Sequence, residues 1–158
     1  NIQKSFQSKT EHRCFQELSL RDFPQHREDA HELFKSFVEQ YQKDNNINYH
    51  CWPYSYELEN TRFKKYLPNT NDRFEIHADA TERDTATRFL AFFIYLTDND
   101  SGHTSFPTRD IKIQPKKGRL LMFPPNFCYP HIGEKVIDKP KYILGNYAHV
   151  MSEKPLTT

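Results

Sequence analysis

Three residues stand where they could hold a metal ion. His77 and Asp79 form an H-x-D pair at the end of residues 73–78, a segment that reads as a strand. Residues i and i+2 of a strand point to one face, so an imidazole and a carboxylate spaced this way can grip one ion from the same side. The third ligand must come from elsewhere, and His131 is the best candidate because it too ends a predicted strand. Two histidines and one carboxylate leave three coordination positions open, which suits a non-haem iron(II) that binds an organic ligand and O₂ together. With 8 His in 158 residues an H-x-D can arise by accident, so the pair alone is a weak signal. His26-Arg27-Glu28 is a similar triplet, but it falls in a predicted helix, where i and i+2 do not face each other, and it is set aside.

The elements that would position these ligands divide the chain in two. Residues 1–46 read as helical support. Pro24 suits a first helical position. Ala30, Leu33, Phe34, Phe37, Val38 and Tyr41 then recur at helical period, with Arg27, Glu28, Lys35, Glu39 and Gln42 on the opposite face. Residues 47–150 read as a β core, with strands expected at 47–51, 62–66, 73–78, 87–96, 104–107, 111–114, 119–123, 129–132 and 142–150. Breakers such as Asn69-Thr70-Asn71-Asp72 and Asp98-Asn99-Asp100-Ser101-Gly102 separate them. Residues 89–96 are apolar on both faces, which places them inside a sandwich or under a helix. The expectation is a single domain over residues 1–158, mainly β with flanking helices, of the sandwich or jelly-roll kind.

Composition narrows the function classes. The 22 basic and 21 acidic residues nearly balance, which gives no electrostatic case for nucleic acid or an anionic membrane. Cys14, Cys51 and Cys128 are odd in number and widely spaced, so neither a disulfide framework nor a C-x-x-C zinc site is suggested. No apolar run approaches the ~18 residues of a membrane span. The default expectation is a soluble, cytoplasmic protein in a reducing compartment, with a removed leader left open.

From Arg62 to Val150 the chain resembles the prolyl 4-hydroxylase-like branch of the 2-oxoglutarate oxygenases. The resemblance runs in order through Arg62-Phe63-Lys64-Lys65-Tyr66, Phe74-Glu75-Ile76-His77-Ala78-Asp79, Arg88-Phe89-Leu90-Ala91-Phe92-Phe93-Ile94-Tyr95-Leu96, Ser101-Gly102-His103-Thr104-Ser105-Phe106, Gly118-Arg119-Leu120-Leu121-Met122-Phe123, Pro130-His131 and Lys141-Tyr142. It implies a double-stranded β-helix, a form of jelly roll, with helices packed on one side. It implies iron(II) on His77, Asp79 and His131, and Lys141 on the distal carboxylate of 2-oxoglutarate. Tyr66 and Thr104 match hydroxyl-bearing positions that contact the co-substrate, and Arg88 matches a structural arginine that opens the long central strand. The implied chemistry is hydroxylation of an unactivated C–H bond with O₂ as co-substrate, decarboxylation of 2-oxoglutarate to succinate, and ascorbate as an auxiliary reductant. The implied substrate is a prolyl side chain in a peptide or protein.

Some positions depart from that pattern or invite other readings. Ser101 replaces a glycine, Tyr147 stands where many relatives carry Trp, and Ile94 stands where some place a pocket Tyr; these bear on substrate shape rather than chemistry. Cys128 reads as a buried thiol beside the site, His149 as a terminal-strand residue, and His103 as a solvated turn residue. The aromatic stretch His50-Cys51-Trp52 with Tyr54 and Tyr56 reads either as core or edge strand, or as a wall of a substrate groove. Two rival functions are an oxygenase acting on a free amino acid or other small molecule, and a non-enzymatic jelly-roll binding module. A nucleic-acid demethylase is disfavoured, since that branch carries paired arginines after the distal His and here none follows Arg119.

Overall fold

The apolar stripe after Pro24 does form a helix, α1, Pro24–Asp44, with Pro24 in its first turn and Asn45 at its C-cap. Ala30, Phe34 and Val38 are buried, spaced four apart so that they stack on one face. Leu33, expected on that stripe, is 43% exposed, because it lies at the stripe's edge. The structure is a computed structural model and describes residues 6–9 and 13–151.

The remaining elements are strands β1 Phe6–Lys9, β2 Arg13–Ser19, β3 Tyr56–Leu58, β4 Arg62–Tyr66, β5 Arg73–His77, β6 Arg88–Tyr95, β7 Thr104–Phe106, β8 Ile111–Ile113, β9 Leu120–Phe123, β10 His131–Gly133 and β11 Lys141–Val150. They join one curled sheet in the order β8-β7-β10-β5-β2-β4-β11-β6-β9, with β1 added to β2 and β3 to β11. Each pairing is antiparallel. The curled antiparallel sheet with its flanking helix is a double-stranded β-helix.

Two expectations need correction. Residues 1–46 are not helical throughout: β1 and β2 extend the sheet before α1, and β2 bridges β4 and β5. (Residues 1–5 and 10–12 lie outside the described residues.) Phe15 is the only fully buried residue of β2, too little alternation to announce a strand. Residues 47–51 are not a strand either. Asn48 accepts the backbone N–H of His50 and caps a short 3₁₀ turn, Tyr49–Cys51, a local bond that competes with sheet pairing.

The central strands β6 and β11 separate two environments. Leu90, Phe92 and Ala148 pack with Ala30, Phe34 and Val38 against α1, with the Phe34 and Phe92 rings 5.0 Å apart. The opposite face carries Ala91, Phe93 and Tyr95 toward the inside of the curl. The apolar double face of residues 89–96 is thereby explained: one side lies under the helix, the other lines the interior. No helix among the described residues is long and apolar enough to cross a membrane.

Candidate metal and co-substrate site

Sheet register brings the distant ligands together. His131 on β10 lies directly opposite His77 on β5, and their rings are 4.2 Å apart. β5 ends at His77, so Asp79 is not a strand residue; the loop holds it on the same side. Its backbone N–H donates to the Pro125 carbonyl (2.9 Å), as does that of Ala80 (3.0 Å), and its own carbonyl accepts from the Arg88 guanidinium (2.9 Å). The ligating atoms of His77, Asp79 and His131 all fall within 4.8 Å of one another.

The two imidazoles are set up as metal ligands. His77 Nδ1 lies 2.7 Å from the Glu75 carbonyl and His131 Nδ1 lies 3.2 Å from the Tyr129 carbonyl. A carbonyl only accepts, so each Nδ1 carries a proton and each Nε2 is the ring nitrogen left to face a metal. Those Nε2 atoms lie 3.3 Å from Asp79 Oδ1 and 3.5 Å from Asp79 Oδ2 respectively. His77 Nε2 is buried without a hydrogen-bond partner, an arrangement that is costly without a third body. Burial drives the His131 imidazole down to about 4, so it is neutral at physiological pH. Burial alone would raise the Asp79 carboxyl, but the neighbouring His77, His131 and Lys64 hold it at about 2. A carboxylate and two imidazoles converging on one buried point suit iron(II).

The same pocket contains Lys141, Tyr66, Tyr95 and Thr104. Lys141 on β11 is 2% exposed. Its ammonium donates to the Gly102 carbonyl at 2.6 Å and sits 4.3 Å from the centroid of the Tyr66 ring. Burial pulls its pKa down to about 7, against the weaker pull of Glu134 and Asp138. The Gly102 loop is held by Asp138, whose carboxylate accepts from Ser101 Oγ, the Asp100 N–H and Asn99 Nδ2. Thr104 Oγ1 accepts from the Tyr95 hydroxyl (2.7 Å), which leaves its own proton free to donate. Each residue predicted for the metal and co-substrate site therefore lines one pocket.

Other expectations move. Cys128 is exposed, so it is no buried thiol. His103 is largely covered (20% exposed) and lies 3.7 Å from Glu134. Trp52 and Tyr56 pack on Phe89 in the cluster beneath α1, as the core reading has it; neither they nor His50, Cys51 and Tyr54 line the metal pocket. Ile94 also faces α1, and the pocket receives its neighbour Tyr95 instead. Sequence reasoning missed Tyr95, whose hydroxyl is hidden in an apolar run. It also missed Glu59, which lies between strands with no periodic signal and binds Arg88 (2.6 Å), Arg62 (3.0 Å) and His149 (2.5 Å). Tyr147 was marked only as a departure, yet its hydroxyl donates to Asp79 Oδ1 (2.9 Å).

A curled double-stranded β-helix with two histidines and a carboxylate on its inner wall defines a mononuclear non-haem iron protein. The chain belongs to the 2OG-Fe(II) oxygenase superfamily, whose family pattern matches residues 61–149, over half its length. It is therefore an enzyme of iron(II)- and 2-oxoglutarate-dependent oxygenase chemistry. No curated protein matches the chain. Among solved structures it is similar to the viral collagen prolyl hydroxylase of Paramecium Bursaria Chlorella virus-1 in its 2-oxoglutarate complex (23% identity, 77% of this chain and 74% of that one, TM-score 0.59). It is also similar to a Trichoplax adhaerens prolyl hydroxylase bound to a hypoxia inducible factor peptide (19%, 80% and 59%, TM-score 0.58). A third is a Pseudomonas putida prolyl-4-hydroxylase (17%, 76% and 65%, TM-score 0.56). At these identities the likeness speaks to fold.

Proposed function

We propose that this chain hydroxylates a prolyl residue in a peptide or protein, with His77, Asp79 and His131 as iron(II) ligands and Lys141, Tyr66 and Thr104 as the 2-oxoglutarate site. The observation that carries this reading is that the triad and the buried ammonium of Lys141 share one pocket. Lys141 pairs with the distal carboxylate of the co-substrate, a charge-assisted contact worth about 1.5–3 kcal/mol per hydrogen bond. Tyr66 offers its ring beneath that ammonium, and the free proton of Thr104 points the same carboxylate. The keto-acid end would then be held by iron on His77, Asp79 and His131. Iron, when bound, supplies the activation of O₂, and ascorbate serves to keep it reduced. The chain's own task is orientation and exclusion of water: Phe123 and Phe93 line the pocket beside the triad and keep the reacting carbon dry.

The prolyl substrate is supported by the resemblance over Arg62–Val150 and by prolyl hydroxylases among the similar folds. Fold does not settle substrate, so the test is direct. Pro-containing peptides are incubated with the protein, iron(II), 2-oxoglutarate and ascorbate, and analysed by mass spectrometry. A gain of one oxygen on Pro is expected. Succinate formed with no oxidised proline, together with oxidation of a free amino acid, would transfer the assignment to small molecules.

A further inference from the structure

Asp79 is hydrogen-bonded unevenly. Its Oδ1 receives the Tyr147 hydroxyl at 2.9 Å and lies 3.3 Å from His77 Nε2. Its Oδ2, 3.5 Å from His131 Nε2, receives no hydrogen bond among the described residues. The donor is itself fixed. Tyr147 lies on β11 opposite Ala91 of β6, and its ring is covered by the Arg88 guanidinium, 3.9 Å from the centroid. Arg88 reaches both ends of the arrangement: Nε donates to Glu59 Oε1 at 2.6 Å and a terminal nitrogen donates to the Asp79 carbonyl at 2.9 Å. Glu59 also takes Arg62 (3.0 Å) and His149, whose other ring nitrogen meets Thr87 Oγ1 (2.8 Å). The burial of Arg88 and Glu59, 11% and 15% exposed at their side chains, makes this cluster rigid.

We infer that Tyr147 is a positioning residue that restricts Asp79 to one free oxygen, with Arg88 and Glu59 holding Tyr147 in place. The inference rests on Asp79 being an iron ligand. A carboxylate with both oxygens free can chelate a metal through both. It would then occupy a position that the keto acid or O₂ needs, since the chemistry requires three open ones. A hydroxyl donating to one oxygen occupies one of its two lone pairs, lowers its basicity as a second metal ligand and fixes the carboxylate plane. Backbone contacts at both sides of Asp79 set where the side chain starts; Tyr147 sets which of the two oxygens that face the histidines already carries a hydrogen bond and which is left without one. A purely packing role would need only the ring, which Phe supplies equally well and which would still lie against Arg88.

The test uses the full chain loaded with Co(II), a spectroscopic stand-in for iron(II), and titrated with 2-oxoglutarate. Tyr147→Phe is compared with the native protein, with Arg88→Lys as a second variant and thermal unfolding confirming that each is folded. The expected result for Tyr147→Phe is a changed Co(II) visible spectrum, reporting an added carboxylate oxygen, and 2-oxoglutarate affinity reduced about tenfold. Arg88→Lys, which loses the fork joining Glu59 to Asp79, is expected to change the same band to a smaller extent. Tyr147→Trp, which restores a ring N–H donor, is expected to recover the native spectrum in part. An unchanged Co(II) spectrum in both Tyr147→Phe and Arg88→Lys overturns the proposal. So does a weaker 2-oxoglutarate affinity with an unaltered spectrum, since Tyr147 would then act on the co-substrate itself. Failure of the native protein to bind Co(II) at all would instead remove the metal reading on which the proposal stands.

Discussion

The two faces of β6 and β11 are neighbours on the same backbone and opposites in chemistry. The helix side buries Leu90, Phe92 and Ala148 in a continuous apolar cluster. The inner side presents Tyr95, Lys141 and Tyr147 to a pocket with a metal triad on its far wall. A strand's two-residue period makes this division possible: alternate positions build stability and chemistry independently. The stable face anchors strands whose other face carries a desolvated ammonium and an unpartnered imidazole nitrogen, features that would weaken a fold lacking such an anchor.

Substitutions on each face can break or sharpen that contrast. The largest effect is expected at the inner wall: Asp79→Ala should abolish iron binding and 2-oxoglutarate turnover while circular dichroism still shows the folded sheet. Full turnover in that variant would remove the triad. Next comes the helix side, where Phe92→Ala should lower unfolding free energy by about 3–5 kcal/mol through the cavity it leaves. Denaturant melts would show this, with iron bound per folded molecule unchanged; a loss of iron in the folded fraction would mean the faces are not independent. Smaller still is Lys141→Met, which should weaken 2-oxoglutarate binding roughly 10- to 150-fold and leave iron binding nearly intact. This last site carries a pH signature. The free-protein lysine titrates at about 7 rather than its usual 10.5, and only the charged form pairs with a carboxylate. Calorimetric affinity should therefore be highest below pH 7 and fall as pH rises, with proton uptake on binding at pH 8 that Lys141→Met lacks. The sign for stability is the reverse: between about 7 and 10.5 the unfolded chain binds the extra proton, so this lysine's penalty on folding eases as pH rises through that window.

The parts of this architecture that were legible in the sequence are those with long, regular patterns. β6 and β11 have enough residues for their apolar content to show, and α1 carries a stripe from Ala30 to Tyr41 within a helix bounded by Pro24 and Asn45. β2 and the three-residue β3 were not, because one buried Phe15 or a run of three residues carries no period. The aromatic stretch from Tyr49 to Tyr56 left core, edge strand and groove wall open, since aromatic content alone does not reveal which face a residue occupies; Tyr49–Cys51 forms a turn, and Tyr56 opens β3 and packs in the core. The metal ligands and Lys141 were visible through spacing and family pattern. Their supports were not: Glu59, Arg88 and Tyr147 meet through sheet register and side-chain reach, with the Glu59–His149 contact spanning 90 residues.

Gly102 has a left-handed backbone, φ +68°, and a Cβ there would lie 2.7 Å from Val136 Cγ2 and 3.4 Å from Lys141 Nζ, so the position admits only glycine without displacement. Its carbonyl accepts a hydrogen bond from the Lys141 ammonium. A lysine loses about 1.5–2 kcal/mol of rotamer freedom when it is immobilised. Here that entropy is surrendered as the chain folds, before any co-substrate arrives. On the proposed role of Lys141, the binding step would meet a charge already aimed, and the affinity for a carboxylate would not be diminished by the ordering of its partner.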